Sequence, residues 1–494
     1  PLLLPCGVHA DDIGPPQAQT LQQQLRDWFA GLLGPGAAAP ALPLQITGEG
    51  DHYRMTWPIT GLDSPASGAA VTASVRPLEG GRWAIDGIKF PDAASFTVMM
   101  PDAADAATTA PMKAALSVGR QEAHAEIDPA LASPSTLHMD LGDLAVTTDS
   151  AKQHQEQRIG RYAADASLNP AQDGRLDAAM DTTIERWETA AQTEGRAALA
   201  IGAQSVHAVG RIDGVRREMA ARLVSAMNGF FRALPPDVVE KHGKGDLPAP
   251  ARVQLRALIE ALPDVLTGLK LEETVDGLQI EIAGMGGLAL RRLVLGFGGE
   301  APDGNLNAWL EIGLDGLDTP SLPPAMTAYL PHHLEVRPSI SGIRTEDLSK
   351  LALDATEDGA GDDTLGPDIA AIFAHGGVNL AVETLSFDVG PAQVEGVGKV
   401  VALSPNSWQG EARLTATGLD ELTAQARKDP DLQQALPVLM MLRGLAKPDG
   451  NRLAWDIVSD GTAVSVNGID LSALGGGKPR TKQPNAPPGQ PRKR

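Results

Sequence analysis

The stretch that most constrains the fold is residues 278–297, where apolar and polar residues alternate on both sides of a glycine cluster. Leu278, Ile280 and Ile282 share one face of an extended chain. Past Gly284 and Gly286, Leu288 and Leu290 do the same, and beyond Arg291-Arg292 come Leu293, Leu295 and Phe297. A period of two is the signature of a strand with one buried face. The same glycines, with Ala289, satisfy the spacing G-x-G-x-x-A of a dinucleotide-binding loop. That loop requires a helix to open at the glycines, because the pyrophosphate rests on the helix N-terminus. Here a second strand opens instead, so the glycines form a hairpin turn and the nucleotide reading fails.

The same grammar recurs along most of the chain. "LPLQITGEGDHYRMTWPITGL" reads as two strands around Gly48-Glu49-Gly50, and "AAVTASVRPLEGGRWAIDGIKF" repeats the plan around Gly80-Gly81. "STLHMDLGDLAVTTDSA" gives a third such unit, and "GVNLAVETLSFDVGPAQVEGVGKVVAL" a later one. "NRLAWDIVSDGTAVSVNGIDLSAL" makes a hairpin at Asp460-Gly461. Strands joined by tight turns leave no room for crossover helices and imply antiparallel pairing.

Helical spacing appears in four places. Leu21, Leu25, Trp28, Phe29 and Leu32 predict a helix over about 17–33. Ile212, Val215, Met219, Leu223, Met227, Phe230 and Leu234 predict the strongest one, over about 211–234, stopped by Pro235-Pro236. "PARVQLRALIEALPDVLTGL" predicts a third, and 419–446 a fourth, broken near Pro430 and at Pro437. The expected fold class is α+β, β-dominated: long twisted antiparallel sheet(s) with a few amphipathic helices packed on one face. The expected organisation is a signal-peptide remnant at 1–10, a helix and linker at 11–41 and a β-rich half at 42–210. A helical insertion at 211–269, a second β-rich half at 270–475 and a disordered basic tail at 476–494 follow. A Gly-Leu-Asp step shared by 313–315 and 418–420 suggests one strand-rich plan in both halves.

Charge excludes one class of partner. The chain carries −21, and its last segment contributes Lys478, Arg480, Lys482, Arg492, Lys493 and Arg494 with no acid. Without those six, 35 basic residues face 62 acidic ones, a net −27 that repels nucleic acid. The tail is the one segment suited to peripheral contact with an anionic membrane surface. Cys6 is the only cysteine, so no intramolecular disulfide and no cysteine-based metal site can form. It lies in "PLLLPCGVHADD", which reads as the back half of a secretory signal cleaved after Ala10 and predicts a periplasmic or secreted protein. No later run approaches the ~20 apolar residues needed to span a bilayer as a helix.

No motif assigns catalysis. There is no G-x-S-x-G elbow, and Gly376-Gly377 after His375 read as a helix C-terminus. Lys399 follows a glycine but lacks the upstream glycine and the following Ser or Thr of a phosphate loop. His332 and His333 are adjacent and would face opposite sides of a strand. In 354–365, Asp354, Thr356, Asp358, Gly359 and Asp362 match calcium-loop positions, but Leu365 stands where the bidentate Glu belongs. Carboxylates are too numerous for any pair to be singled out for glycoside hydrolysis, and the three tyrosines and seven scattered tryptophans offer few sugar platforms. The chain therefore predicts no catalytic residues, no cofactor, no metal site and no enzymatic activity.

The order "GLDELTAQA", helix, "WDIVSDGTAVSVNGIDL", with the Ala/Gly/Asp-rich strand–turn–strand layout of 42–475, resembles uncharacterised exported β-rich proteins of alphaproteobacteria. These are similar in layout to AsmA-type envelope proteins. The resemblance implies a non-enzymatic periplasmic role in the envelope, with lipid or an acyl chain held along an apolar sheet groove. Unlike the AsmA type, no N-terminal membrane helix is visible. The alternative is a structural interaction module for other envelope proteins, its sheet face closed by its own helices.

Overall fold

A computed structural model describes residues 13–33, 44–58, 70–216 and 248–471, together with 226, 229 and 230. Short breaks fall at 103–104, 130, 132–133, 151–152, 172–173, 194–195, 266, 323–326, 328–329, 358–361 and 430–432. Among the described residues the chain forms one long antiparallel sheet of 22 strands with six α-helices described along their whole length, and the sheet does not close into a barrel. The expected leader at 1–10 and tail at 476–494 lie outside the described residues.

The sheet begins with helix α1 (Pro15–Leu33) beside strands β1 (Gln45–Glu49), β2 (His52–Pro58), β3 (Ala70–Pro77) and β4 (Trp83–Lys89). Strand β4 pairs with β7 (Gln121–Ile127), and β7 with β8 (Thr136–Asp149). A side branch, β5 (Ala93–Asp102) and β6 (Asp105–Ser117), joins the far half of the same edge of β8. From β8 onward each strand pairs with the next: β9 (Gln153–Pro170), β10 (Arg175–Thr193), β11 (Arg196–Arg216), β12 (Gly268–Ile282) and β13 (Gly286–Glu300). The meander continues through β14 (Asn305–Asp318), β15 (His333–Arg344), β16 (Val378–Val389), β17 (Ala392–Ser404) and β18 (Ser407–Thr417). Strand β20 (Arg452–Ser459) follows β18, and its other edge is shared by β19 (Lys447–Asp449) and β21 (Val464–Val466), which ends on β22 (Ile469–Asp470). At ~3.4 Å per residue the 21 residues of β11 extend ~70 Å.

The remaining helices are α2 (Ala249–Val265) before β12, α3 (Thr345–Ala355) and α4 (Asp362–Phe373) between β15 and β16, and α5 (Leu419–Ala426) and α6 (Leu436–Leu445) after β18. Several expectations change here. The helix expected at 211–234 begins as strand: 211–216 belong to β11, Ile212 opposite Ala178 and Val215 opposite Leu176. Their helical spacing of three comes from a register shift at this point, with Gly214 in the left-handed region (φ 67°). Beyond it, 226, 229 and 230 are helical, and the rest lies outside the described residues. Because β11 pairs with β12 across this excursion, the two expected β-rich halves form a single sheet.

"STLHMDLGDLAVTTDSA" is also one strand, β8, with Asp143 left-handed (φ 52°) where a turn is expected. Pro437 does not break a helix; it lies in the first turn of α6, where its missing N–H has no partner to lose. The shared Gly-Leu-Asp step has two structures, strand interior at 313–315 and a strand-to-helix corner at 418–420. The hairpin at 280–299 forms as expected, with Gly284 (φ 78°) and Gly286 (φ 99°) supplying its turn.

Two cores anchor the sheet. At one end Ala18, Leu21 and Leu25 of α1 pack on Tyr53, Val75 and Ile85, and Gln22 and Arg26 donate to the Leu44 carbonyl. At the other end Leu419 and Leu422 of α5 pack on Ala416, Trp455 and Val466, and the Trp455 indole donates to the Leu442 carbonyl of α6 at 2.8 Å.

Candidate functional site: an apolar sheet face between two helix-capped ends

Residues paired directly across strands share a face, so the register shows what each face carries. One transverse row runs Leu141, Tyr162, Ile184, Val206, Val275 and Leu293 on β8 to β13. It continues as Leu314, Leu334, Phe387, Val394, Ala416 and Leu453 on β14 to β18 and β20. Twelve strands at ~4.8 Å spacing make this unbroken apolar line about 50 Å long.

The next row on the same face runs Met139, Ala164, Thr182, Ala208, Glu273 and Leu295, then Ile312, Val336, Leu385, Gly396, Leu414 and Trp455. A third runs from Tyr53, Val75, Ile85 and Ala125 through Leu137, Ala166, Met180, Gly210 and Leu271 to Phe297 and Leu310. Both cores therefore lie on this face: α1 covers one end and α5 with α6 the other. Between them the face reaches solvent among the described residues. Met180 and Phe297 are each 44% exposed, and Leu295, Leu310 and Leu380 are similarly open.

The opposite face is polar. One residue away from the first apolar row stand Arg161, Glu185, Ser205, Asp276, Arg292, Asp315 and His333, again paired strand to strand. Arg161 bonds Glu185 (3.0 Å) and Asp140 (3.0 Å), and His333 Nδ1 lies 2.8 Å from Asp315. The Arg161 guanidinium, helped by Arg120, holds the Asp140 carboxyl below the usual carboxylate range. Trp309 lies over Gly296 and Gly298 on this face, with the Arg337 guanidinium 4.8 Å from the indole centre.

The apolar positions change phase along one transverse line. Asp143, Arg186, Gly277 and Gly316, in β8, β10, β12 and β14, all have positive φ there. Beyond the line the apolar row is Leu144, Ile159, Trp187 and Ala203, and Leu278, Leu290 and Leu317. The consecutive Arg291 and Arg292 both turn to the polar face, approaching Asp315 (3.9 Å) and Asp276 (4.0 Å). Leu290 and Leu293, which flank them, thus share the apolar face although three residues apart. A hollow of about 740 Å³ lies at this end, lined by Trp187, Thr189, Ile201, Ile280 and Leu288 among others.

The motifs weighed in the sequence are spread apart. Gly284 and Gly286 are in the β12–β13 turn, and Lys399 lies within β17, paired with Glu411 (2.8 Å). His375 follows α4 near Asp347 (3.4 Å), and the Gly377 N–H donates to the Phe373 carbonyl, closing that helix. Of the calcium-loop positions, Asp354 belongs to α3 and Asp362 to α4; 358 and 359 lie outside the described residues. Lys350 occupies Asp354 (3.3 Å) and also binds the buried Asp368 of α4. Among the described residues no three His, Cys, Asp or Glu converge to hold a metal.

Fold and face together define a β-dominated α+β protein with a one-sided apolar sheet. No protein-family model matches the chain, and neither a curated protein nor a solved structure does. Among the described residues no helix is long and apolar enough to cross a membrane.

Proposed function

We propose that this is a non-enzymatic envelope protein, periplasmic or secreted, that binds lipid or another acyl-chain amphiphile along its apolar sheet face. The observation that carries this reading is the face formed by the three apolar rows, continuous with both cores yet exposed between them at Met180, Leu295, Phe297 and Leu310. Large open apolar surface is unfavourable in water and marks a binding site. The polar face, laced with ion pairs, supplies solubility, so only one side of the sheet needs an occupant. The rival reading, a structural interaction module whose face its own helices close, fits the two capped ends but not the exposed Phe297, Leu295 and Leu310. Native mass spectrometry and lipid extraction of freshly purified protein test the proposal. Copurified amphiphile in near-stoichiometric amount is the expected result; protein that is consistently empty and binds no added aliphatic chain would refute it.

A further inference from the structure

Glu273 is the one charged side chain in the three apolar rows. It is half-buried in β12, with Ala208 and Leu295 opposite it and Leu271 and Val275 two residues to either side. Among the described residues no hydrogen bond or ion pair reaches its carboxylate. Its neighbour Glu272 points to the other face and is paired with Lys270 at 2.8 Å. An aliphatic chain laid along the rows would strip water from Glu273. Covering a carboxylate with hydrocarbon is costly unless the occupant brings a donor or a positive charge. An anionic head placed there adds repulsion, in a chain whose net charge is already −21.

We propose that the sheet face takes amphiphiles with an aliphatic body and an ammonium head, and that Glu273 determines this specificity by pairing with that head. The proposal rests on the reading of the face as an amphiphile site and adds the chemistry of the occupant. Specificity here is a difference of affinities: ammonium gains a charge-assisted hydrogen bond, a neutral head gains less, and a carboxylate is penalised.

The test is isothermal titration of the full chain with decylamine, decanol and decanoate below their micellar concentrations. The expected order is decylamine tightest, about ten- to a hundredfold over decanol, with decanoate weakest. Glu273→Gln brings decylamine to about the decanol level, while decanol affinity shifts far less than decylamine affinity. Glu272→Gln, which removes the same charge from the opposite face, keeps the wild-type order. If decanol binds but decylamine binds no tighter, or if both variants lower decylamine affinity equally, Glu273 selects nothing and this proposal falls while the apolar site stands. If none of the three binds, the apolar site itself is refuted. A native mass of two chains with no amphiphile gives the face to a second copy and overturns the proposal as well.

Discussion

Phe297→Thr distinguishes an open apolar face from a closed one. Phe297 lies between Leu271 and Leu310 and keeps 44% of its surface in water. Full burial of such a side chain contributes up to ~3 kcal/mol, so the part withdrawn from water here contributes about 1.5 kcal/mol. Threonine suits a strand and retains one methyl, which brings the expected loss on unfolding by urea to about 1 kcal/mol. Leu25, on the sheet-facing side of α1 and only 1% exposed, sets the contrast, because Leu25→Ala should cost about 3 kcal/mol. Decanol binding should respond in the opposite order. Phe297→Thr removes a contact from the face and weakens binding about five- to tenfold, whereas Leu25→Ala leaves the folded face intact. Circular dichroism with urea gives the stabilities, and titration calorimetry the affinities. A Phe297→Thr variant destabilised as much as Leu25→Ala, with unchanged decanol affinity, would show that the chain closes this face itself.

Two further outcomes follow from local geometry. Gly418 begins α5 with φ 70°, and a Cβ there would fall 1.9 Å from the Pro391 carbonyl oxygen, so Gly418→Ala should cost about 3 kcal/mol or more and lower the melting temperature by several degrees; an unchanged melting temperature would contradict this corner. The Asp460 carboxylate accepts from the Ala463 and Thr462 backbone N–H groups and the Thr462 hydroxyl, which lowers its pKa to about 2. Because the folded value is depressed, the stabilisation is present above the ordinary carboxylate range and is lost as pH falls through about 2. Carbon NMR titration of Asp460 should give that midpoint, and an ordinary aspartate value would mean that the turn is not formed.

Local sequence determined the strands, because alternation and left-handed glycines are properties of a few neighbouring residues. The β12–β13 hairpin, the Asp460-Gly461 turn and the helix at 15–33 were legible on those grounds. Even the phase change at Arg291-Arg292 stands in the sequence, with Leu290 before it and Leu293 after it. Its cause does not, since the left-handed residues responsible lie on the neighbouring strands at Gly277 and Gly316. The spacing of Ile212 and Val215 misled for a similar reason: a bulge and a helical turn both put apolar residues three apart, and only pairing with Leu176 and Ala178 distinguishes them. Register is a long-range quantity. It alone placed Leu141 and Leu453, more than three hundred residues apart, on one transverse line. It also set Glu273, one acid among 62 in the sequence, into an apolar face, because which residues share a face depends on partners that local composition does not name.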